Sequence, residues 1–175
     1  MADPLVLRPL EREQIPQAFP LVRAILPDTS LSRWTVFARA YIHERSDRAA
    51  RGITMAQNQA GYIAGIFTHE LRDELAHGRT LSVGNLMVAD FPGRERTVDH
   101  LIEGMHALAN LRGCAAIAVS LGIAFFDELP NLGWAQARFV EGGFVASSPS
   151  QCRKLLQVPR VNTGNSSPPG GLGQR

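Results

Sequence analysis

Residues 86–114 read LMVADFPGRERTVDHLIEGMHALANLRGC and decide the fold, because they join the end of a strand, a short charged loop and an amphipathic helix. The helix is predicted to begin at Thr97, with apolar residues recurring every three or four positions, as in a helix with one buried face. Gly113 follows its last turn, where glycine often ends a helix. The apolar face consists of Val98, Leu101, Ile102, Met105, Leu108 and Leu111.

Apolar strands are predicted on both sides of this helix. Residues 80–90 alternate in polarity, except that Gly84-Asn85 interrupts the pattern, as at a bulge or a close backbone approach. The alternation predicts Leu81, Val83 and Met87 on one face and Leu86 and Val88 on the other. Residues 114–121, CAAIAVSL, suit a strand buried on both faces. The strand 80–90, the helix 97–112 and the strand 114–121 form a βαβ unit, for which a right-handed parallel crossover is strongly favoured.

Working outward, periodicity and turn signals predict the remaining elements. Before the βαβ unit we expect a strand that stops at Pro9, two helices and a pair of strands; a short helix and a closing hairpin follow it. The helices before the unit are 13–26 and 31–45, the second capped by Ser30 or Ser32, and the paired strands are 51–58 and 61–70. The segment 70–79 is a charged connection. The short helix occupies 127–143 and the closing hairpin 144–158. The expected class is α/β (α+β), with a mostly antiparallel central sheet and one parallel crossover.

Composition limits the kinds of function to consider. The chain has 175 residues, 45% of them hydrophobic, and a net charge of +2, which favours one soluble domain and neither nucleic acid nor a membrane as partner. We expect a single domain over residues 1–158 and a disordered tail over 159–175, where apolar residues are almost absent. Cys114 and Cys152 lack metal-ligand spacing and are expected in the core. The predicted location is cytoplasmic, and a homodimer stays open.

This order of elements resembles the GNAT superfamily of acyl-CoA-dependent N-acyltransferases over roughly residues 4–158. Three passages carry the resemblance: GYIAGIF (61–67) resembles the third strand, residues 86–114 resemble the fourth strand, pyrophosphate loop and third helix, and ARFVEGGFV (137–145) resembles the closing segment. The resemblance implies a GNAT-like three-layer fold. It also implies transfer of an acyl group from acetyl-CoA or another acyl-CoA to a primary amine on a small molecule or peptide.

The family's loop reads Arg/Gln-x-x-Gly-x-Gly/Ala and binds the coenzyme pyrophosphate through backbone N–H groups at a helix N-terminus. Matching Val88 to the valine that precedes the loop implies a coenzyme site made of Leu86, Met87, Val88, Gly93, Arg94, Glu95, Arg96, Thr97 and Val98. Here Gly93 occupies the Arg/Gln position, and Arg96 and Val98 replace the two small residues. Arg94 and Arg96 either bind phosphate through their guanidinium groups or remain solvated on the first turn.

The catalytic candidates follow from the same alignment. Many family members carry a tyrosine that protonates the leaving thiolate, but Phe139 stands at its position and has no proton to donate. Ser120 is then a substitute donor, or else an ordinary hydroxyl at a strand end. His69, beside Glu70 at a predicted strand end, is the candidate general base, or else a surface histidine. Asp90 is a weaker base candidate, because its carboxylate could instead cap the helix.

The first two helices of the family line the acceptor cleft. By resemblance, Trp34, Phe37 and the pair Phe125-Phe126 imply an apolar acceptor or a longer acyl group, although such a stripe is more often core. Besides an N-acyltransferase, the sequence leaves open a binding or regulatory module that keeps the GNAT fold without its chemistry. A third alternative is a sensor or interaction partner with an unrelated mixed fold, in which the fourth and fifth strands do not splay.

Overall fold

The computed structural model describes residues 4–42, 50–89, 92–121, 133–148 and 151–156. Seven strands form one sheet in the order β1-β2-β3-β4-β5-β7-β6, in which β4 and β5 pair in parallel and every other neighbouring pair is antiparallel. The predicted fold class and element order are therefore confirmed. The strands are β1 (Val6–Pro9), β2 (Arg51–Gln57), β3 (Ile63–Glu74), β4 (Gly78–Val88), β5 (Ala116–Ser120), β6 (Val145–Ser148) and β7 (Gln151–Leu155).

The helices lie in two layers, one on each face of the sheet. Their bounds are α1 (Ile15–Ile25), α2 (Leu31–Tyr41), α3 (Arg94–Leu111) and α4 (Gly133–Glu141). The Ser30 hydroxyl accepts a hydrogen bond from the Arg33 N–H at 3.2 Å, which confirms the predicted cap of α2. Among the described helices, none combines the length and apolarity that crossing a bilayer requires.

An apolar core lies between the sheet and each of the two helical layers. One packs α3 and α4 against the sheet and contains Val98, Leu101 and Met105 of the predicted helical stripe. The other packs α1 and α2 against the opposite face, around Trp34. Both cysteines are buried, and burial raises the pKa of each thiol above its ordinary value.

Close approach fixes the position of α3 on the sheet. A Cβ atom added to Gly65 of β3 would lie 2.9 Å from Leu101 Cδ1 and 3.1 Å from Thr97 Cγ2, so the helix occupies the space that a side chain would need. The helix begins at Arg94, one turn before the predicted start at Thr97. Its first turn is polar and therefore lacks the apolar spacing on which the prediction rested.

The bulge in β4 is confirmed, but the predicted assignment of faces was wrong. Between the pairs Thr68↔Gly84 and Ile66↔Met87, β4 has one residue more than β3. The extra residue reverses the alternation of side chains along the strand. Even-numbered residues after the bulge therefore point to the same face as odd-numbered residues before it. Leu81, Val83, Leu86 and Val88 consequently share the α3 core, while Met87 belongs to the α1–α2 core.

The charged segment 70–79 is also not a connection. β3 continues to Glu74 and β4 begins at Gly78, leaving only a tight turn between them. Asp73 lies opposite Arg79, and opposite charges on paired strands stabilise a ladder without apolar alternation. The predicted tail over 159–175 lies outside the described residues, as do Asp90, Phe125 and Phe126.

Candidate active site

The pairing of β4 with β5 ends before β4 does, toward the carboxyl ends of the two strands. Their register runs from Thr80↔Ala116 to Val83↔Val119, and β4 then continues to Val88 without a further β5 partner among the described residues. The bulge begins directly after the last pair. A local change of strand direction therefore coincides with the loss of pairing, as bulges near sites often produce.

Asn85 holds the shape of the bulge. It is the one described residue other than glycine with a positive φ, 44°, a conformation that asparagine tolerates better than most residues. Its Nδ2 donates to Thr68 Oγ1 at 3.1 Å, and the Thr68 hydroxyl donates to the Gly84 carbonyl at 2.9 Å. Sequence reasoning singled out the Gly84-Asn85 interruption but did not find Thr68.

One backbone N–H group near the end of β4 is directed away from β3. The Ala89 N–H donates to Ala64 O at 2.9 Å, toward β3. Because successive N–H groups of an extended chain alternate between its two edges, the Val88 N–H is directed to the opposite edge, which has no strand partner among the described residues. The bulge thus leaves a backbone donor at the open edge, adjoining two other residues of the predicted coenzyme site, Leu86 and Met87.

The N-terminus of α3 follows shortly after this edge in the chain. Gly93 precedes the helix with φ 101°, and none of the described side chains caps the first turn. The first helical bond runs from the Thr97 N–H to Gly93 O, at 3.2 Å, so the backbone N–H groups of Glu95 and Arg96 have no acceptor within the helix. Such N–H groups, at the positive end of a helix dipole, are suited to an anion.

Two residues that depart from the family pattern do not obstruct this turn. Val98 is 0% exposed and packs in the α3 core, so its side chain lies under the helix rather than over its end. Arg96 is exposed. Thr97 is 1% exposed, and its hydroxyl has no hydrogen-bond partner among the described residues. The Val98 side chain therefore does not cover the backbone N–H groups of the turn.

A cleft of about 430 Å³ lies between β4 and the first two helices. Its buried wall includes Trp34, which is 3% exposed and donates from Nε1 to Ile15 O at 2.7 Å, and Met87, which is 5% exposed. Phe37 stacks on Trp34 with ring centroids 5.9 Å apart, and Asn85 of the bulge also lines the space. Trp34 is therefore both a core residue and a wall of the cleft.

The two predicted catalytic residues lie on opposite faces of the sheet. Ile117 and Val119 point into the α3 core, so Ser120, exposed at the end of β5, is directed to the face of Met87 and the cleft. His69 lies in the middle of β3 rather than at its end, opposite Gly52 and Val83, and its ring contacts Phe67 on the α3 face. The structure does not bring His69 to the cleft.

The environment of His69 is that of a neutral core imidazole. Burial and, second, the nearby positive charge of Arg112 lower the pKa of His69 to about 4. Its Nδ1 atom is buried and lacks a hydrogen-bond partner among the described residues. The role of His69 as a general base therefore gains no support from its position.

Phe139 is likewise a core residue. It is 0% exposed and meets Phe144 edge to face, with centroids 5.2 Å apart. The aromatic position expected to donate a proton has thus become part of the packing between α4 and the sheet.

No protein-family model matches the sequence, and comparison with curated proteins finds no significant match. The structure is similar to solved N-acetyltransferases. An aminoglycoside N-acetyltransferase in complex with CoA superposes with a TM-score of 0.63 at 14% identity, covering 91% of this chain and 97% of that one. Spermidine N-acetyltransferase from Vibrio cholerae in complex with CoA and spermine gives 0.62 at 16% identity, covering 86% and 95%.

Glucosamine-6-phosphate N-acetyltransferase from Arabidopsis thaliana gives a TM-score of 0.60 at 14% identity, covering 83% of this chain and 95% of that one. Together with the strand order and the parallel β4–β5 pair, these similarities show that the chain has the GNAT fold. They span nearly the whole length of each relative.

Proposed function

We propose that residues 1–158 form one N-acyltransferase domain, which moves an acyl group from acetyl-CoA or another acyl-CoA to a primary amine. The observation that carries this proposal is the end of β4, which has no β5 partner among the described residues and directs the Val88 N–H to that edge. The first turn of α3, which none of the described side chains caps, follows in the chain. The CoA complexes among the similar structures support the same coenzyme here.

In the proposed reaction both substrates are bound together and the amine attacks directly. The amine nitrogen forms a bond to the thioester carbonyl carbon, the carbon–sulfur bond breaks and the thiolate leaves. The nitrogen loses a proton to solvent water, and the thiolate gains one to become the free thiol of CoA. The Val88 N–H stabilises the negative charge that develops on the carbonyl oxygen. The cleft beside Met87 holds the amine close to that carbon, which lowers the entropic part of the barrier.

The first turn of α3 binds the pyrophosphate in this proposal. The N–H groups of Glu95 and Arg96 donate to phosphate oxygens, and the helix dipole favours the negative charge. The guanidinium groups of Arg94 and Arg96 add charge-assisted hydrogen bonds, which compensate for the glycines that the loop lacks. Gly93 gives the chain the positive φ that starts the helix at this point.

Ser120 is the better placed of the two proposed catalytic residues. It is exposed at the end of β5. In this proposal its hydroxyl protonates the leaving thiolate directly or through a water molecule. Phe139 cannot provide this proton. Thiolates leave readily at neutral pH, so acid assistance from Ser120 is expected to be modest.

Titration with CoA tests the coenzyme site. At a ligand concentration 100 times Kd, binding stabilises the fold by about 2.7 kcal/mol. For a chain of this size that corresponds to a rise in Tm of roughly 5–10 °C. Calorimetry should give a one-to-one complex, which Arg94→Ala together with Arg96→Ala weakens about tenfold. The matched control is Arg23→Ala, on the exposed side of α1. The absence of any heat or Tm shift at high CoA concentration would refute the proposal.

The buried Phe139 favours a second candidate, a module that binds acyl-CoA without transferring the acyl group. Free thiol released from acetyl-CoA in the presence of an amine panel distinguishes the two candidates. Release that depends on both the amine and the protein supports the enzyme. A CoA complex with no release from any amine supports the binding module.

A further inference from the structure

The cleft between β4 and α2 has an apolar interior and a charged opening. Trp34 and Met87 are buried at its wall, whereas Arg33 and Asp28 are exposed and line the same space. An acceptor that fills the cleft would therefore meet apolar surface over most of its body. It would meet charge only at the end that faces solvent.

Local structure does not account for the position of Arg33. It lies in the first turn of α2, which contains no acidic residue, and a positive charge there opposes the helix dipole. Within the described part of the chain, no carboxylate forms an ion pair with its guanidinium group. A charge that a helix disfavours and that stands at a cleft opening is a candidate for ligand recognition.

We propose that the acceptor is a primary amine on an apolar, aromatic-sized body whose far end carries one carboxylate, and that Arg33 binds this carboxylate. The inference rests on the proposed N-acyltransferase function and names its substrate class. A planar guanidinium group matches a carboxylate in a two-point hydrogen-bonded geometry. The amine at the other end then faces the β4 bulge.

Charge at the opening argues against other acceptors. The Asp28 carboxylate stands on the same rim and repels a second negative charge, so a carboxylate fits better than a phosphate dianion. Polyamines are disfavoured because their other ammonium groups would lie against the apolar wall formed by Trp34, Phe37 and Met87. A volume of about 430 Å³ is within the range of small-molecule sites and admits a single aromatic ring with its side arm.

The test compares amines that differ only in the carboxylate. Calorimetry measures the binding of 4-(2-aminoethyl)benzoate, phenethylamine and spermidine to the full chain saturated with CoA, which forms a complex that cannot turn over. We expect the benzoate to bind about tenfold more tightly than phenethylamine, and spermidine to bind most weakly. Arg33→Gln should remove this tenfold preference and leave phenethylamine binding unchanged.

Two further variants separate the charge effect from general damage. Arg39→Gln changes an exposed arginine on the same helix that does not line the cleft, and it should alter no affinity. Asp28→Asn should leave benzoate binding unchanged or strengthen it, because it removes a like charge. If Asp28→Asn weakened benzoate binding as much as Arg33→Gln, the assignment of the carboxylate to Arg33 would be overturned.

The outcomes also distinguish this inference from the proposed function. Failure of CoA itself to bind would remove the coenzyme site and both proposals with it. A normal CoA complex that binds benzoate and phenethylamine equally well, or prefers spermidine, would overturn the acceptor assignment alone. A preference for the benzoate that depends on Arg33 would support it.

Discussion

Asn85 stabilises the bulge in β4 in two ways, and substitutions at this position separate them. The residue combines a φ of 44° with a hydrogen bond to Thr68, and each can be removed independently. Asn85→Gly removes the hydrogen bond but accepts the positive φ. Asn85→Ala removes the hydrogen bond and places a Cβ in a conformation that L-residues disfavour.

The expected losses in the free energy of unfolding follow from these two terms. A hydrogen bond of this kind contributes about 1 kcal/mol, and a left-handed alanine adds about 1–2 kcal/mol of strain. Glycine instead increases the entropy of the unfolded chain, at a cost of about 0.4–1 kcal/mol. We therefore expect Asn85→Gly to cost about 1–2 kcal/mol and Asn85→Ala to cost about 1 kcal/mol more.

Urea unfolding followed by circular dichroism measures both losses. Thr68→Val provides the matched variant, because it removes the hydroxyl that accepts from Asn85 Nδ2 at 3.1 Å. Thr68→Val and Asn85→Gly should be non-additive by about 1 kcal/mol, since they break the same interaction. Equal stability of Asn85→Ala and Asn85→Gly would refute the backbone argument. Strict additivity with Thr68→Val would refute the hydrogen-bond argument.

Two further predictions concern charges near α3. Arg138 Nε donates to Asp99 Oδ1 at 2.9 Å, and Asp99 lies about 6 Å along the axis from Glu95, at the helix end proposed to bind pyrophosphate. Arg138→Gln should weaken CoA binding about threefold, because the negative charge of Asp99 is no longer neutralised, and adding Asp99→Asn should restore the affinity. Weaker CoA binding by Asp99→Asn alone would instead indicate that the ion pair has a structural role. The pKa of His69 falls from 6.5 to about 4 on folding, so the unfolded chain binds the proton more tightly than the folded chain. The contribution of neutral His69 to the free energy of unfolding is therefore fully present above pH 6.5. It decreases by up to about 3 kcal/mol toward pH 4. Unfolding curves of His69→Gln should lack this decrease, and an identical pH profile would contradict the burial of a neutral imidazole.

Elements with a regular apolar period were predictable from sequence. The stripe of α3 from Val98 to Met105 lies in the core as predicted, because a period near 3.6 has few alternative explanations in a chain of mixed composition. The prediction was wrong for Leu111, which is 80% exposed in the last turn of the helix, and Leu108 is only partly buried. Its first turn could not be found in this way, since Arg94, Glu95 and Arg96 carry no apolar spacing. The helix starts there because Gly93 adopts a positive φ. Glycine permits this conformation, but its presence in a sequence does not show that the conformation is adopted.

Two errors have a common physical origin in strand pairing. The faces of β4 were misassigned because alternation was continued through Asn85, whereas one extra residue reverses it. The strand ends at 70–79 were missed because their stability comes from partners across the ladder, such as Asp73 opposite Arg79. Cross-strand partners are distant in sequence, so local polarity alone suggested a loop.

The candidate site divides in the same way between backbone and side chains. The bulge, the end of β4 and the N-terminus of α3 are backbone features of a fold that this chain shares with enzymes only 14–16% identical to it. In the proposed coenzyme site, Val98 in place of a small residue does not cover the N–H groups of the turn, because its side chain is buried in the core. The proposed choice of acceptor, in contrast, depends on side chains such as Arg33 that come together only after folding. The backbone therefore supports the reaction class, while the acceptor must be tested at the opening of the cleft.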